Sequence, residues 1–121
     1  MAILQSTNSS GIGLVFPGQG SQSVGMGRAL LEVQPTIRSL YEEASSVLGY
    51  DIAALCFEGP AEQLNLTEYT QPALLVSSMA ALQALKPLGI SPIAVAGHSL
   101  GEYSALVAAE GMTYRDAVGI V

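Results

Sequence analysis

A glycine-x-serine-x-glycine segment at residues 97–101 constrains the fold of this chain more than any other feature. The apolar run Ile93–Ala96 before it predicts a short buried strand, and Ser104–Ala109 after it predicts a helix. Between a strand and a helix, this is the sequence pattern of a nucleophile elbow, which holds a serine, here Ser99, on a tight and strained turn. An ordinary glycine-rich turn is the alternative, but the flanking patterns favour acyl chemistry on serine. Backbone N–H groups at the start of the helix would then stabilise an oxyanion.

The rest of the chain alternates strand and helix patterns, which is typical of an α/β fold with a parallel sheet. Ile12–Phe16 predicts a first buried strand. Helical patterns occur at residues 35–48, 51–57, 61–66, 71–85 and 114–121. The pattern at 71–85 is apolar on most sides and predicts a central, buried helix. Gly49 is expected to end the first helix, and Thr113 with Asp116 to cap the last.

The number of strands predicts an incomplete domain. A parallel sheet usually has several strands with both faces covered, and only two strand patterns are clear here. The last helical pattern also reaches Val121 without a cap. We therefore expect a flexible tail at residues 1–11, which are mostly small and polar, and part of a larger parallel-sheet domain at residues 12–121.

Composition restricts the class of protein further. The 121 residues are 50% hydrophobic and 12% charged, as in a globular domain. There is no apolar stretch long enough to span a bilayer and no signal-peptide pattern. The net charge is −6 and the four basic residues are scattered, so we expect neither nucleic acid nor a membrane as a partner. The single cysteine, Cys56, is predicted to be a small buried side chain and is consistent with a cytoplasmic location.

A serine nucleophile needs a base, and the chain has one histidine, His98. Adjacent residues on a sharp turn point in divergent directions, so we interpret His98 as a residue packed beside the turn. Glu102 is predicted to be a favourable charge on the first turn of the following helix. The base is therefore expected beyond Val121.

A glycine-rich loop follows the first strand at residues 18–22. As a dinucleotide-binding loop it is poor, because Ser23 stands where the third glycine is needed and no Gly-Lys-Ser/Thr follows. The loop is better interpreted as half of an oxyanion hole, with backbone N–H groups from Gln19 and from Leu100 after the serine. A simple turn is the remaining alternative.

Three sequence blocks resemble malonyl-CoA:acyl carrier protein transacylases and the related acyltransferase domains of fatty-acid and polyketide synthases. They are FPGQGSQ at 16–22, TQPAL at 70–74 and GHSLGEYSA at 97–105. The resemblance covers nearly everything after the tail. It implies an α/β-hydrolase-like large subdomain, of which this is the N-terminal portion, with a ferredoxin-like small subdomain absent.

The resemblance also implies roles for five residues. Ser99 would be the nucleophile, Gln19 and Leu100 would donate backbone N–H groups to the thioester oxygen, and His98 and Gln71 would lie near the substrate pocket. Leu100 is similar to the residue in malonyl-selective members. Ser99 would take the malonyl group from coenzyme A, and the phosphopantetheine thiol of acyl carrier protein would then accept it, in fatty-acid biosynthesis. No metal and no permanently bound cofactor are expected.

The same resemblance places two required groups outside the chain. The arginine that pairs with the malonyl carboxylate would follow Val121, and Arg115 is too early to match. The catalytic histidine would come later still. We therefore expect the chain to be inactive, or nearly so, by itself.

Two other functions remain open at this point. A serine esterase or thioesterase would use the same turn with water as acceptor. Alternatively, a catalytically incomplete fragment would act only by binding or by complementing a separate C-terminal piece.

Overall fold

The computed structural model describes residues 2–5 and 11–121, which form an α/β fold with helices packed on a small sheet. The strands are β1 (Ala2–Gln5), β2 (Ile12–Phe16) and β3 (Pro92–Gly97). The helices are α1 (Arg28–Val33), α2 (Arg38–Leu48), α3 (Ile52–Glu58), α4 (Ala61–Leu64), α5 (Thr67–Leu85), α6 (Gly101–Ala108) and α7 (Tyr114–Ile120). Short 3-10 turns precede α2 at Pro35–Ile37 and follow α5 at Lys86–Leu88.

The register of the sheet brings two loops together. The strand order is β1-β2-β3, and β2 and β3 run parallel, as predicted. Phe16 at the end of β2 lies opposite Gly97 at the end of β3. The loop after β2 and the turn after β3 therefore leave the same edge of the sheet, where α/β folds place their ligand sites.

The predicted tail differs from the structure at β1. Ala2–Gln5 pairs antiparallel with β2, with Ala2 opposite Val15 and Gln5 opposite Ile12. The backbone N–H and C=O groups on the edge of β2 that faces away from β3 need hydrogen-bond partners, and β1 supplies them. Gly11, the last residue of the predicted tail, is buried against Ile93. Residues 1 and 6–10 of the predicted tail fall outside the described residues.

The prediction of a buried second strand was right about the strand and wrong about its burial. Residues 92–94 are exposed, and Ile93 is 72% exposed. Among the described residues, β3 is the edge strand of the sheet, with α6 packed against it. An apolar strand is buried only when elements cover both of its faces.

Helix α5 is the centre of the core, as its apolar pattern predicted. Its buried residues lie around most of the helix: Thr70, Pro72, Ala73, Leu74, Leu75, Val76, Ser78, Met79 and Ala80. The helix begins at Thr67, four residues before the predicted start at Gln71. Pro72 favoured the later start, since proline suits a first turn. In the structure Pro72 lies in the second turn, where its lack of an N–H leaves only the carbonyl of exposed Glu68 without its helical partner.

The predicted helix ends are confirmed. Gly49 ends α2 with a φ of 79°, a left-handed conformation that glycine adopts without strain. The Thr113 hydroxyl accepts a hydrogen bond from the Asp116 N–H at 3.1 Å and donates to the Asp116 carboxylate at 2.7 Å. Cys56 on α3 is fully buried, as expected. Within the described ranges, no helix is both long enough and apolar enough to cross a bilayer.

Candidate active site

Ser99 stands on the turn between β3 and α6 with a φ of 53°. This left-handed conformation is disfavoured for a residue with a side chain, so the turn is strained at the serine. The side chain of Ser99 is exposed at the carboxyl edge of the sheet. The strand, tight turn and helix predicted from the Gly-x-Ser-x-Gly pattern are therefore all present.

The two glycines of this pattern permit a very close approach of backbone segments. A Cβ atom at Gly97 would collide with the carbonyl of Gly101, and one at Gly101 would collide with the carbonyl of Phe16. It would also lie 2.9 Å from the Pro17 oxygen. The first turn of α6 thus packs directly on the backbone at the end of β2, which explains why glycine is needed at both positions.

The first turn of α6 leaves one N–H group open beside Ser99. The N–H groups of Gly101, Glu102 and Tyr103 donate to the carbonyls three residues before them, at 2.9, 2.9 and 3.0 Å. Within residues 11–121, the Leu100 N–H donates to no protein acceptor. Leu100 is only 3% exposed and its side chain belongs to the hydrophobic core.

The glycine-rich loop after β2 lies against this turn. The His98 N–H donates to the Phe16 carbonyl at 3.1 Å. A Cβ atom at Gly18 would lie 2.5 Å from the His98 carbonyl oxygen, so no side chain fits there. In the described part of the chain, the backbone N–H of Gln19 also has no acceptor. The two predicted oxyanion donors, Gln19 and Leu100, thus lie on segments in direct contact.

His98 is placed beside the loop. Its Nδ1 atom lies 3.0 Å from the position that a Cβ on Gly18 would occupy, and its side chain is exposed. Glu102 is exposed on the first turn of α6, where a negative charge favours the helix. This position is consistent with the prediction that His98 packs beside the serine turn. That His98 is not the base of Ser99 stays a prediction.

Gln71 is half-buried on α5, one turn after Thr67 and on the same helix face. The hydroxyl of Thr67 accepts a hydrogen bond from Gln19 Nε2 at 3.0 Å, so this face of α5 is directed towards the glycine-rich loop. Thr67 was not predicted from the sequence, because a helix beginning at Gln71 would leave Thr67 in a loop without a defined direction. Asn65, which accepts from Gln22 Nε2 at 2.9 Å, was not predicted either.

This arrangement is suited to acyl transfer through a serine ester. An exposed hydroxyl on a strained turn is accessible to a carbonyl carbon. Two open N–H groups on adjoining segments are the donor type that stabilises the oxyanion formed by attack. The chain has one histidine, His98, which stands next to Ser99 in the sequence.

Comparisons with known proteins agree on one family. The family model described as "Acyl transferase domain" matches residues 14–121. The chain is 52% identical over 109 residues to the malonyl CoA-acyl carrier protein transacylase of Bacillus subtilis (strain 168), covering 90% of the chain and 34% of the relative.

Solved structures show the same fold. An acyl carrier protein S-malonyltransferase from Vibrio cholerae superposes with a TM-score of 0.87 at 50% identity, over 90% of this chain and 36% of that one. A malonyl-transacylase in complex with a type II polyketide synthase acyl-carrier protein superposes with a TM-score of 0.83 at 48% identity, over 88% and 35% of the two chains. The chain thus spans about a third of the length of these relatives.

Proposed function

The chain belongs to the acyl transferase domain family, and we propose that it supplies the nucleophilic serine and the oxyanion-binding backbone of a malonyl-CoA:acyl carrier protein transacylase. The observation that carries this proposal is the position of Ser99. It lies on a strained turn, with a φ of 53°, directly before Leu100 and on a segment that contacts the Gln19 loop, and neither the Leu100 N–H nor the Gln19 N–H has an acceptor among the described residues. We interpret this turn as a nucleophile elbow.

In the first half-reaction, Ser99 Oγ attacks the thioester carbonyl of malonyl-CoA. The carbonyl oxygen becomes an oxyanion, to which Gln19 and Leu100 donate their N–H groups. The C–S bond then breaks, coenzyme A leaves as the thiol after taking up the proton from Ser99, and a malonyl-serine ester remains. In the second half-reaction, the phosphopantetheine thiol of acyl carrier protein attacks this ester and regenerates the serine hydroxyl.

The proton must pass through a base, and we propose that the base lies outside these 121 residues. His98 precedes the nucleophile directly and its ring lies beside Gly18. The arginine expected to pair with the malonyl carboxylate is likewise assigned outside the chain. Arg115 is on α7, where it lines an open groove with Val47 and Glu110. Residues 12–121 are therefore one part of the active site, within an α/β-hydrolase-like large subdomain.

We also propose the cofactor requirement, the protein partner and the compartment of the reaction. Coenzyme A thioester is a substrate and not a resident cofactor, and the chemistry uses no metal. Acyl carrier protein is the protein partner, in fatty-acid biosynthesis. The cytoplasm is the proposed compartment, supported by a single cysteine that is buried as a free thiol.

Intact-mass measurement after mixing with malonyl-CoA tests this function. In the complete protein that contains these residues, we expect one malonyl adduct, which Ser99→Ala abolishes. Ser46→Ala is a matched control, because Ser46 is an exposed serine on α2. It should leave the adduct unchanged. An adduct that persists in Ser99→Ala would contradict the proposed nucleophile.

Measuring whether acyl carrier protein or water accepts the malonyl group distinguishes transfer from hydrolysis. With holo acyl carrier protein present, the malonyl group should move to the carrier protein faster than it is lost to water. Rapid hydrolysis without transfer would instead favour a serine esterase. The 121 residues alone should form little adduct, and steady transfer by them alone would contradict the assignment of the base to another segment.

A further inference from the structure

Two side-chain amides tie the glycine-rich loop to the junction between α4 and α5. Gln19 Nε2 donates to Thr67 Oγ1 at 3.0 Å. Gln22 Nε2 donates to Asn65 Oδ1 at 2.9 Å, while Gln22 Oε1 accepts the Gly20 N–H at 2.8 Å. We call these three hydrogen bonds the loop tether. It holds the loop on both sides of Gly20.

The junction to which the tether attaches is itself well fixed. The fully buried Thr70 donates its hydroxyl to the Leu64 carbonyl at 2.6 Å and lies 3.0 Å from that of Leu66. Its backbone N–H also donates to the Leu66 carbonyl at 2.8 Å. Asn65 and Thr67 flank Leu66, so both tether acceptors sit on a turn that a buried side chain holds in place.

The loop has little else to hold it at its centre. Gly20 has a φ of 107°, and a Cβ added there would have no neighbour within 4 Å. Gln19 is exposed. Gly18 is fixed by close packing on His98, but this packing ends one residue before Gln19. Hydrogen bonds therefore have to define the orientation of the Gln19 peptide group.

We propose that Thr67 and Asn65 are positioning residues, which hold the backbone N–H of Gln19 towards the oxyanion through the loop tether. This inference rests on the proposed function. The mechanism is geometric: Gly18 is held by packing on His98 and the Gln19 side chain is held on Thr67, which limits rotation of the peptide group between them, and this group carries the Gln19 N–H. The bond from the Gly20 N–H to Gln22 fixes the next peptide group. A preorganised donor stabilises the oxyanion without reorganising during the reaction.

Thr67→Val and Thr67→Ser in the complete protein form the sharpest test. Valine keeps the shape of threonine but removes the hydroxyl acceptor, whereas serine retains it. For malonylation of Ser99, we expect Thr67→Val to lower the maximal rate by about tenfold with the KM for malonyl-CoA little changed, because the donor acts in the transition state. Thr67→Ser should stay within about twofold of wild type. Asn65→Ala and Asn65→Asp form a second pair, since aspartate retains the acceptor oxygen.

Amide hydrogen exchange of residues 18–22 gives a readout that does not depend on activity. Thr67→Val and Asn65→Ala should accelerate exchange in this loop, and the serine and aspartate variants should not. If wild type forms no malonyl adduct, the proposed function fails, and the exchange rates alone decide whether the tether orders the loop. Unchanged exchange in Thr67→Val, or faster exchange with an unchanged malonylation rate, would overturn the positioning role. Loss of rate that serine does not rescue would also overturn it.

Discussion

The carbonyl oxygen of Phe16 accepts a hydrogen bond from the His98 N–H at 3.1 Å, which joins the last residue of β2 to the residue before Ser99. Through this bond the loop after the first parallel strand and the turn after the second become one structural unit. The proposed oxyanion site depends on that unit, because the Gln19 donor lies on the loop and the Leu100 donor lies on the turn.

Gly101→Ala should disrupt this unit. The added methyl group would meet the Phe16 carbonyl and approach the Pro17 oxygen to 2.9 Å, and backbone atoms there cannot rotate away. We expect the free energy of unfolding to fall by more than about 2 kcal/mol, measured by urea unfolding of the complete protein. Gly111→Ala is the control, since its Cβ would meet its nearest neighbours at 3.5 Å, an ordinary contact. Equal effects of the two substitutions would contradict the close approach at Gly101.

Ser99→Gly should be more stable than Ser99→Ala by about 1 kcal/mol, although both lose the hydroxyl and the malonyl adduct. Glycine adopts a φ of 53° without the strain that alanine carries there. The same pair at Glu42, an exposed position in the middle of α2, should show the opposite order because glycine destabilises a helix interior. Thermal or urea unfolding of the four variants checks this. If alanine is the more stable residue at both positions, the turn at Ser99 is not strained.

Thr113→Ala should lower the free energy of unfolding by about 1 kcal/mol, because α7 loses its N-terminal cap. The hydroxyl of Thr113 accepts the Asp116 N–H at 3.1 Å. Thr113→Ser keeps that acceptor and should remain near wild type. The measurement is again urea unfolding, and a serine variant as unstable as the alanine variant would mean that the threonine methyl group matters instead.

Stability should decline at alkaline pH. Burial raises the pKa of the Cys56 thiol from 9.0 to about 12, and burial likewise raises the pKa of the Tyr41 hydroxyl from 10.0 to about 12. In the unfolded chain these groups ionise at their ordinary values, so between about pH 9 and 12 unfolding releases protons that the folded state retains. Their stabilising contribution is complete below pH 9 and is lost as pH rises through that window.

Unfolding in urea at a series of pH values from 8 to 11 measures this decline. Cys56→Ala should make the decline shallower, since it removes one of the groups whose pKa is raised by burial and leaves Tyr41, Tyr50 and Tyr114. A free energy of unfolding that rises over the same range would contradict the predicted sign. At pH 8, folded Cys56 should also resist alkylation by iodoacetamide that the urea-unfolded chain undergoes readily.

Local sequence signals predicted much of this structure because their causes are local. The limits of β2 follow from a short apolar run that ends at Pro17-Gly18. The stop at Gly49 follows from the φ freedom of glycine, and the cap at Thr113 from a hydroxyl three residues before its donor. The start of α5 was misplaced because Pro72 suits a first turn better than a second. β1 was missed because its pairing with β2 is a relationship across the sheet.

By itself, the sequence determined the α/β alternation, the strained serine turn between a strand and a helix, and the resemblance to acyltransferases. Only the tertiary structure decided that the Gln19 loop touches that turn, since residues 18 and 98 are brought together by the pairing of β2 with β3. It alone also decided that Thr67 and Asn65 hold the loop. Hydrogen bonds between residues more than 40 positions apart leave no periodic pattern in a single sequence, because their partners are chosen by packing and not by spacing.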